Sequence, residues 1–323
     1  MLAFIAQRLG KAVIVLLAIV VLNFFLIRMA PGDPALVMAG EAGASDKIFV
    51  TQLREKFGLD QPVPVQLYKY VAGILTFDLG FSFRQQMPVS KLILERLPAT
   101  LLLTGTAFAI SLVFGVLFGT LAARRAGTWT DTAITVLALI FYATPLFWVA
   151  LMAILLFSVA MDWLPSFGYE TVGANYTGFA HVLDVGAHLI LPATTIGLFF
   201  MATYTRMTRA SMLEVKRLDF VKTARAKGLR DAVIQRRHVL RNALLPVVTL
   251  AGLQAGTLVG GAVLTETVFA WPGIGRLMYE ALLQRDYNLL LGVFVVCSAM
   301  VLVFNLITDL IYRTVDPRIE FAA

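Results

Sequence analysis

Charge is scarce in this chain. Only 15% of its 323 residues are Asp, Glu, Lys or Arg, against about a quarter in soluble domains. Hydrophobic residues make up 59%, and the mean hydropathy is +0.80. An ordinary soluble domain is excluded. Cysteine is nearly missing: Cys297 stands alone, which excludes an intrachain disulfide and a thiolate metal cluster and leaves redox compartment open. The three histidines, His181, His188 and His238, share no metal-ligand spacing with one another or with Cys297. No Gly-x-x-x-x-Gly-Lys-Ser/Thr loop occurs, because the one Gly-Lys pair, Gly10-Lys11, runs into Ala12. No Ser/His/Asp constellation can be assembled. The chain has no catalytic residues and no metal site to assign, and it is not expected to bind a cofactor or to be an enzyme by itself.

What the chain has is long uncharged runs. Six lie between clusters of charge: Ala12–Ile27, Ala99–Ala123, Thr132–Met161, Val185–Thr205, Asn242–Thr265 and Tyr287–Thr308. All but the first reach about 20 residues, enough for roughly 30 Å of helix across a hydrocarbon core. The first is extended by Arg28 and Met29, with the arginine stem reaching the interface. It follows Arg8 and Lys11 as a signal peptide would, but it is too apolar in length and lacks a small-x-small cleavage site, so it reads as a retained helix. The chain is an all-α integral membrane protein with six transmembrane helices.

Lys and Arg in the short loops set the orientation. With the N-terminus cytoplasmic, the inside carries Arg8 and Lys11, Arg124 and Arg125, a dense central cluster, then Arg313 and Arg318. The outer loop 162–184 carries none, and the next carries Arg276 and Arg285. Both termini are therefore expected inside. The net charge of +7 is a topology signal, and no nucleic-acid partner is implied by it.

Three regions follow: a first transmembrane helix (1–29), an outward-facing helical subdomain with an interfacial helix (30–98), and a core of helices two to six (99–323). Within 30–98, Ser45-Asp46 can cap a helix bearing Ile48, Phe49, Leu53 and Phe57 and stopped at Gly58. Asp60-Gln-Pro-Val-Pro64 breaks the chain, Val65–Phe77 is amphipathic, Asp78-Leu-Gly-Phe-Ser82 reads as loop, and Met87–Pro98 as an interfacial helix leading into span two. Spans two and five carry Gly115-x-x-x-Gly119 and Gly252-x-x-x-Gly256-x-x-x-Gly260, a spacing that lets helix backbones approach closely in lipid.

The segment 206–241 holds eleven of the 27 Lys and Arg residues and only three acids, Glu214, Asp219 and Asp231. Arg206–Arg217 reads as a cytoplasmic extension of span four. Leu218-Asp219 supplies a cap, Phe220–Lys227 forms a short helix ended by Gly228, and Asp231 opens a helix running through His238 towards span five. A short element with small side chains and a cationic bias suits insertion into a groove on a partner.

Asp219-Phe-Val-Lys-Thr-Ala-Arg-Ala-Lys-Gly-Leu229, followed by Arg237-His-Val-Leu-Arg-Asn-Ala-Leu-Leu-Pro246, resembles the coupling loop of bacterial ABC-importer permeases. More narrowly, it is similar to the first permease subunit of the dipeptide, oligopeptide, nickel and glutathione importers. Met29-Ala-Pro-Gly-Asp-Pro34, Phe77-Asp-Leu-Gly-Phe-Ser82, Leu94-Glu-Arg-Leu-Pro-Ala-Thr100, Glu266-Thr-Val-Phe-Ala-Trp-Pro-Gly-Ile-Gly275, Arg285-Asp-Tyr287 and Asp316-Pro-Arg318 extend the resemblance along the whole chain. Lys222-Thr-Ala224 replaces the general Glu-Ala-Ala, and Leu240 is followed by Arg241 instead of proline; both departures resemble the peptide-permease branch. The resemblance implies a type I ABC-importer permease fold in the bacterial inner membrane. It also implies a second homologous permease subunit, two ATPase subunits carrying ATP and magnesium, and an extracytoplasmic binding protein. Coupling to the ATPase would use Thr223, Ala224, Ala226, Lys227 and Gly228, with Arg237 and His238 bracing the next helix.

Two alternatives compete. A secondary transporter places ionisable relays and broken helices at mid-membrane, whereas these runs hold no mid-span Asp, Glu, Lys or Arg; Pro145 and Pro192 are the candidate breaks. A non-transporting scaffold leaves the basic loop unexplained. Polar or aromatic groups inside the spans are the candidate path lining: Tyr142, Thr144, Thr195, Gln254, Thr257 and Asn305. Glu266 and the Asp309/Arg313 pair lie at span ends, where structural roles compete with functional ones.

Overall fold

In a bilayer an apolar run can satisfy its backbone amides only within itself, so each run should be helical. A computed structural model describes residues 2–29, 50, 51, 54, 60–82 and 84–315, with backbone alone at 2–5, 27–28, 257–261 and 311–315. The expectations for 30–49, Leu53, Phe57 and Gly58, for the side chains of Arg28, Thr257 and Arg313, and for Asp316-Pro-Arg318 lie outside the described residues.

Helix α1 spans Leu2–Met29 and α2 Val63–Leu75. The stretch read as loop contains a short antiparallel pairing of β1 (Phe81–Ser82) with β2 (Met87–Pro88), in which Ser82 faces Met87. From it rises α3, Val89–Arg124, which runs unbroken through Pro98, so the interfacial helix and span two are one helix. Next come α4 (Trp129–Ala143) and α5 (Leu146–Ala153), the latter widening into a π-helical turn over Ile154–Ala160. The long α6 covers Phe179–Val215. It is followed by α7 (Asp219–Ala226), by α8 (Asp231–Val233) with a π-helical continuation Ile234–Leu240, and by α9 (Arg241–Gly261). The chain closes with α10 (Val263–Val268), α11 (Ile274–Gln284) and α12 (Tyr287–Val315). Among the described residues five helices are long and apolar enough to cross a membrane, and α4 with the helix that follows it makes a sixth when the bent pair is counted as one span.

That third span is not the straight helix its uninterrupted run implied. Thr144 precedes proline and is held extended (φ −81°, ψ 133°). The two halves meet at 103°. The hydroxyl of Thr144 donates to the Ile140 carbonyl at 2.7 Å and its amide to the same oxygen at 3.0 Å, satisfying the end of α4. Pro192, the other candidate break, stays inside α6.

Two compact units can be distinguished. One comprises residues 1–98 with 273–302, the other 99–272 with 303–323. In the first, Val89, Leu92 and Ile93 of α3 pack with Ile274, Leu277 and Ala281 of α11 and Leu289 and Val293 of α12. The buried Ser82 hydroxyl donates to the Asp286 carboxylate, Asn288 donates to the Phe81 carbonyl at 3.1 Å, and Asp286 accepts the Leu289 amide at 3.1 Å. Phe77–Ser82 and Arg285-Asp-Tyr287, two motifs far apart in sequence, are thus halves of one joint.

In the second unit α6 packs against α4, α5, α9 and α10. Lipid offers no hydrophobic driving force between helices, so close van der Waals fit does the work. Gly115 lies against Tyr204, and a Cβ on Gly119 would sit 2.6 Å from the Thr205 carbonyl oxygen. The glycine spacing in span two therefore docks α3 onto α6, while Gly252 of span five lies against Thr308 of α12. Gly119→Ala should cost about 1–3 kcal/mol of stability by overpacking against backbone. Gly105→Ala, where a Cβ meets nothing within 4 Å, should cost none; thermal unfolding in detergent separates them.

Candidate functional site

An eight-residue helix is too short to be stable alone, so α7 must be held by tertiary packing. Its inward residues, Val221 and Ala224, join Ala123, Met212, Ile234, Val239 and Ala243 in a buried cluster. The helix begins at Leu218, whose backbone is extended and whose side chain makes no cap. Asp219, expected to cap it, instead takes the Lys222 ammonium at 2.8 Å. Its end is a Schellman motif: Gly228 (φ +73°) donates to the Arg225 carbonyl at 2.9 Å and Leu229 to Ala224 at 3.3 Å. The left-handed backbone is what this position requires of glycine.

The outward surface carries Lys222, Thr223, Ala226, Lys227 and Gly228, all exposed. Ala224 is a correction: it is 6% exposed and seats α7 on its own chain, because residues two apart on a helix point in nearly opposite directions. Arg237 is exposed and lines a groove of about 520 Å³ with Ala232, Val233 and Arg236, and His238 is half-buried, its carbonyl accepting from Asn242 at 2.6 Å. The same surface exposes four apolar side chains that charge counting passed over: Leu218, Phe220, Leu229 and Val233. Apolar groups ringed by cations are what a protein contact uses for adhesion. Their signal in sequence was an apolar side chain at each end of the short helix.

Several of the basic residues do structural work. Arg209 makes a fork to the buried Asp131, with Nε to Oδ1 at 2.6 Å and Nη2 to Oδ2 at 2.8 Å. Gly127 adds an amide to the same carboxylate at 2.9 Å. Lys216 donates to the carbonyl of Ala123 at the end of α3, where a cation also complements the helix dipole, and burial pushes its ammonium pKa down. Arg225 and Asp231 stand 3.8 Å apart, both exposed, and such a pair contributes little.

The candidate path residues scatter. Tyr142 is exposed, stacks on Phe199 at 6.0 Å and lies under the Arg206 guanidinium. Thr144 is partly buried at the break, Asn305 is exposed on α12 and Gln254 is partly buried on α9. Thr195 is a correction: it is 3% exposed and its hydroxyl turns back to the Leu191 carbonyl at 2.8 Å, which places it in the helix interface. Glu266 is fully buried and accepts from Thr100 at 2.7 Å, while Trp271 donates its indole N–H to the Ala99 carbonyl at 2.9 Å. The motifs ending at Thr100 and starting at Glu266 thus brace each other. Among the described residues no cluster of three His, Cys, Asp or Glu could hold a metal.

Residues 115–321 match the family described as binding-protein-dependent transport system inner membrane component, and residues 1–104 match its N-terminal family. The chain belongs to this family. It is 40% identical over 337 residues to the dipeptide transport system permease protein DppB of Escherichia coli K12, covering 99% of each chain. It is likewise 40% identical to the oligopeptide transport system permease protein AppB of Bacillus subtilis, over 99% of this chain and all of that one. A putative peptide transport system permease of Brucella abortus strain 2308 shows the same identity over 99% of this chain and 100% of its own length. In fold, this permease is similar to a chain of an inward-facing MetNI methionine ABC transporter, with a TM-score of 0.55 at 22% identity, over 70% of this chain and 96% of that one. It is a multi-pass inner membrane protein with a type I ABC-importer permease fold.

Proposed function

We propose that this permease forms half of the path through which an ATP-driven importer carries di- or oligopeptides delivered by a binding protein. Its other half is a second homologous permease subunit. Two ATPase subunits supply ATP hydrolysis and magnesium binding, and this chain hydrolyses nothing itself. Both termini face the cytoplasm, which puts α7 on the ATPase side. The observation that carries the reading is α7 itself: a short helix braced from behind by Val221 and Ala224, stopped by Gly228, with Phe220, Lys222, Thr223, Ala226, Lys227 and Leu229 facing outward. Such an element transmits force because it cannot move without moving α6 and α9. Arg237 and His238 lie on the helix behind it and steady that attachment.

The peptide substrate rests on the relatives' names and on the near-complete coverage at 40% identity. The deciding measurement is uptake by the chain assembled with its partner subunits and binding protein in vesicles. ATPase subunits disabled in hydrolysis should reduce uptake at least a hundredfold. Uptake that persists, driven by an ion gradient, would establish a secondary transporter instead. Within the path, Gln254→Ala should lower transport more than assembly, and unchanged uptake removes Gln254 from the lining.

A further inference from the structure

Arg206 is the first cation after the uncharged run of span four, and with both termini inside, as proposed above, it stands at the cytoplasmic end of that run. The pairs Asp131–Arg209 and Tyr142–Phe199 show that α4 and α6 run antiparallel, since the partner number falls on one helix as it rises on the other. Tyr142 lies eleven residues beyond Asp131, about 16 Å further along α4. Side chains lean towards the N-terminus of their own helix. Arg206 therefore leans up from α6 into the membrane, and Tyr142 leans down from α4 to meet it. The guanidinium carbon lies 4.2 Å from the centre of the Tyr142 ring, whose stacking on Phe199 at 6.0 Å and 14° fixes its orientation.

Among the described residues the Tyr142 ring is the partner of this guanidinium, and no carboxylate lies within 4.0 Å of it. Nearby Arg209 is paired with Asp131 through two parallel hydrogen bonds; Arg206 has no such carboxylate among the described residues. Intramembrane cations face a bundle interior or a wet cavity, and pair there. A guanidinium stacked on an aromatic face keeps its edge donors free for a planar anion, which it binds through two parallel hydrogen bonds. Tyr142 is 45% exposed, so the stacked pair is open to what passes alongside it. We propose that Arg206, steadied by Tyr142, receives the free carboxylate of the transported peptide part-way across the membrane. This inference rests on the importer reading above.

The test uses the assembled importer in vesicles with the dipeptide Ala-Phe and its C-terminal amide, each saturating the binding protein. Arg206→Gln should lower acid uptake at least tenfold relative to the amide, and Arg206→Lys should restore a substantial part of the acid uptake because it keeps the charge. Tyr142→Leu, which removes the stacking face, should lower the acid-to-amide ratio severalfold. Equal losses for acid and amide would reduce Arg206 to a structural brace and overturn the proposal, as would unchanged acid uptake in Arg206→Gln. A deficit that grows or shrinks with the anionic lipid content of the vesicles would assign the guanidinium to lipid phosphate instead. Failure of the importer reading shows differently: the unaltered complex would then move neither peptide on adding ATP. If the unaltered complex moves the acid alone, Lys rescue without Gln rescue sustains the proposal and equal loss in both variants overturns it.

Discussion

Gly228→Pro is expected to abolish the stimulation of ATP hydrolysis by the binding protein, with a loss of at least tenfold, in the importer assembled from this chain and its partners. Proline is held near φ −65° and has no N–H, whereas this position needs φ +73° and donates to Arg225 at 2.9 Å. Both the chain direction after α7 and the Schellman bond are lost, so the outward surface from Phe220 to Leu229 is re-aimed. Gly228→Ala is the graded control. A Cβ there meets nothing within 4 Å, so its cost is the left-handed strain, about 1–2 kcal/mol, and stimulation should fall only a fewfold. The two variants are read beside uptake and the melting temperature of the complex. Stimulation that survives proline would show that α7 is not the coupling element.

Arg209→Met is expected to destabilise the permease by about 2 kcal/mol, seen as a drop of several degrees in the unfolding temperature in detergent. The change leaves the Asp131 carboxylate, 6% exposed, without its fork, and an uncompensated buried charge is far worse than no charge. Arg209 itself is 33% exposed, which holds the figure below that of a fully buried pair. Adding Asp131→Asn to Arg209→Met should recover part of the loss. A double variant as unstable as the sum of the single ones would show that the two side chains do not depend on each other. The fork ties the first turn of α4 to the C-terminal part of α6, so the same variants should weaken coupling even where assembly survives.

Span number was legible because long uncharged runs have one solution in lipid. The end of α7 was legible because Gly228 has no β-carbon and the surrounding residues do, a purely local constraint. Ala224 shows a local argument taken too far: small residues at 224 and 226 looked alike in sequence, but helix geometry turns one in and leaves the other out. Thr144-Pro145 could be read as a possible break, yet nothing local distinguished it from Pro192. Proline is tolerated inside a membrane helix when neighbouring helices re-satisfy the freed carbonyl, and that depends on packing.

Long-range partners were out of reach. Asp131 with Arg209, Ser82 with Asp286, Thr100 with Glu266 and Trp271 with the Ala99 carbonyl join residues 78 or more positions apart. Each half of these pairs appeared in sequence as an isolated polar or motif residue. Composition and spacing by themselves determined a six-span membrane protein with a basic, glycine-terminated helix, because hydropathy and backbone conformation are local properties. Only the tertiary structure decided which basic side chains are paired with a carboxylate, as Arg209 is with Asp131, and which lie on an aromatic ring, as Arg206 does on Tyr142. Pairing is a matter of distance in space, which the order of residues does not encode.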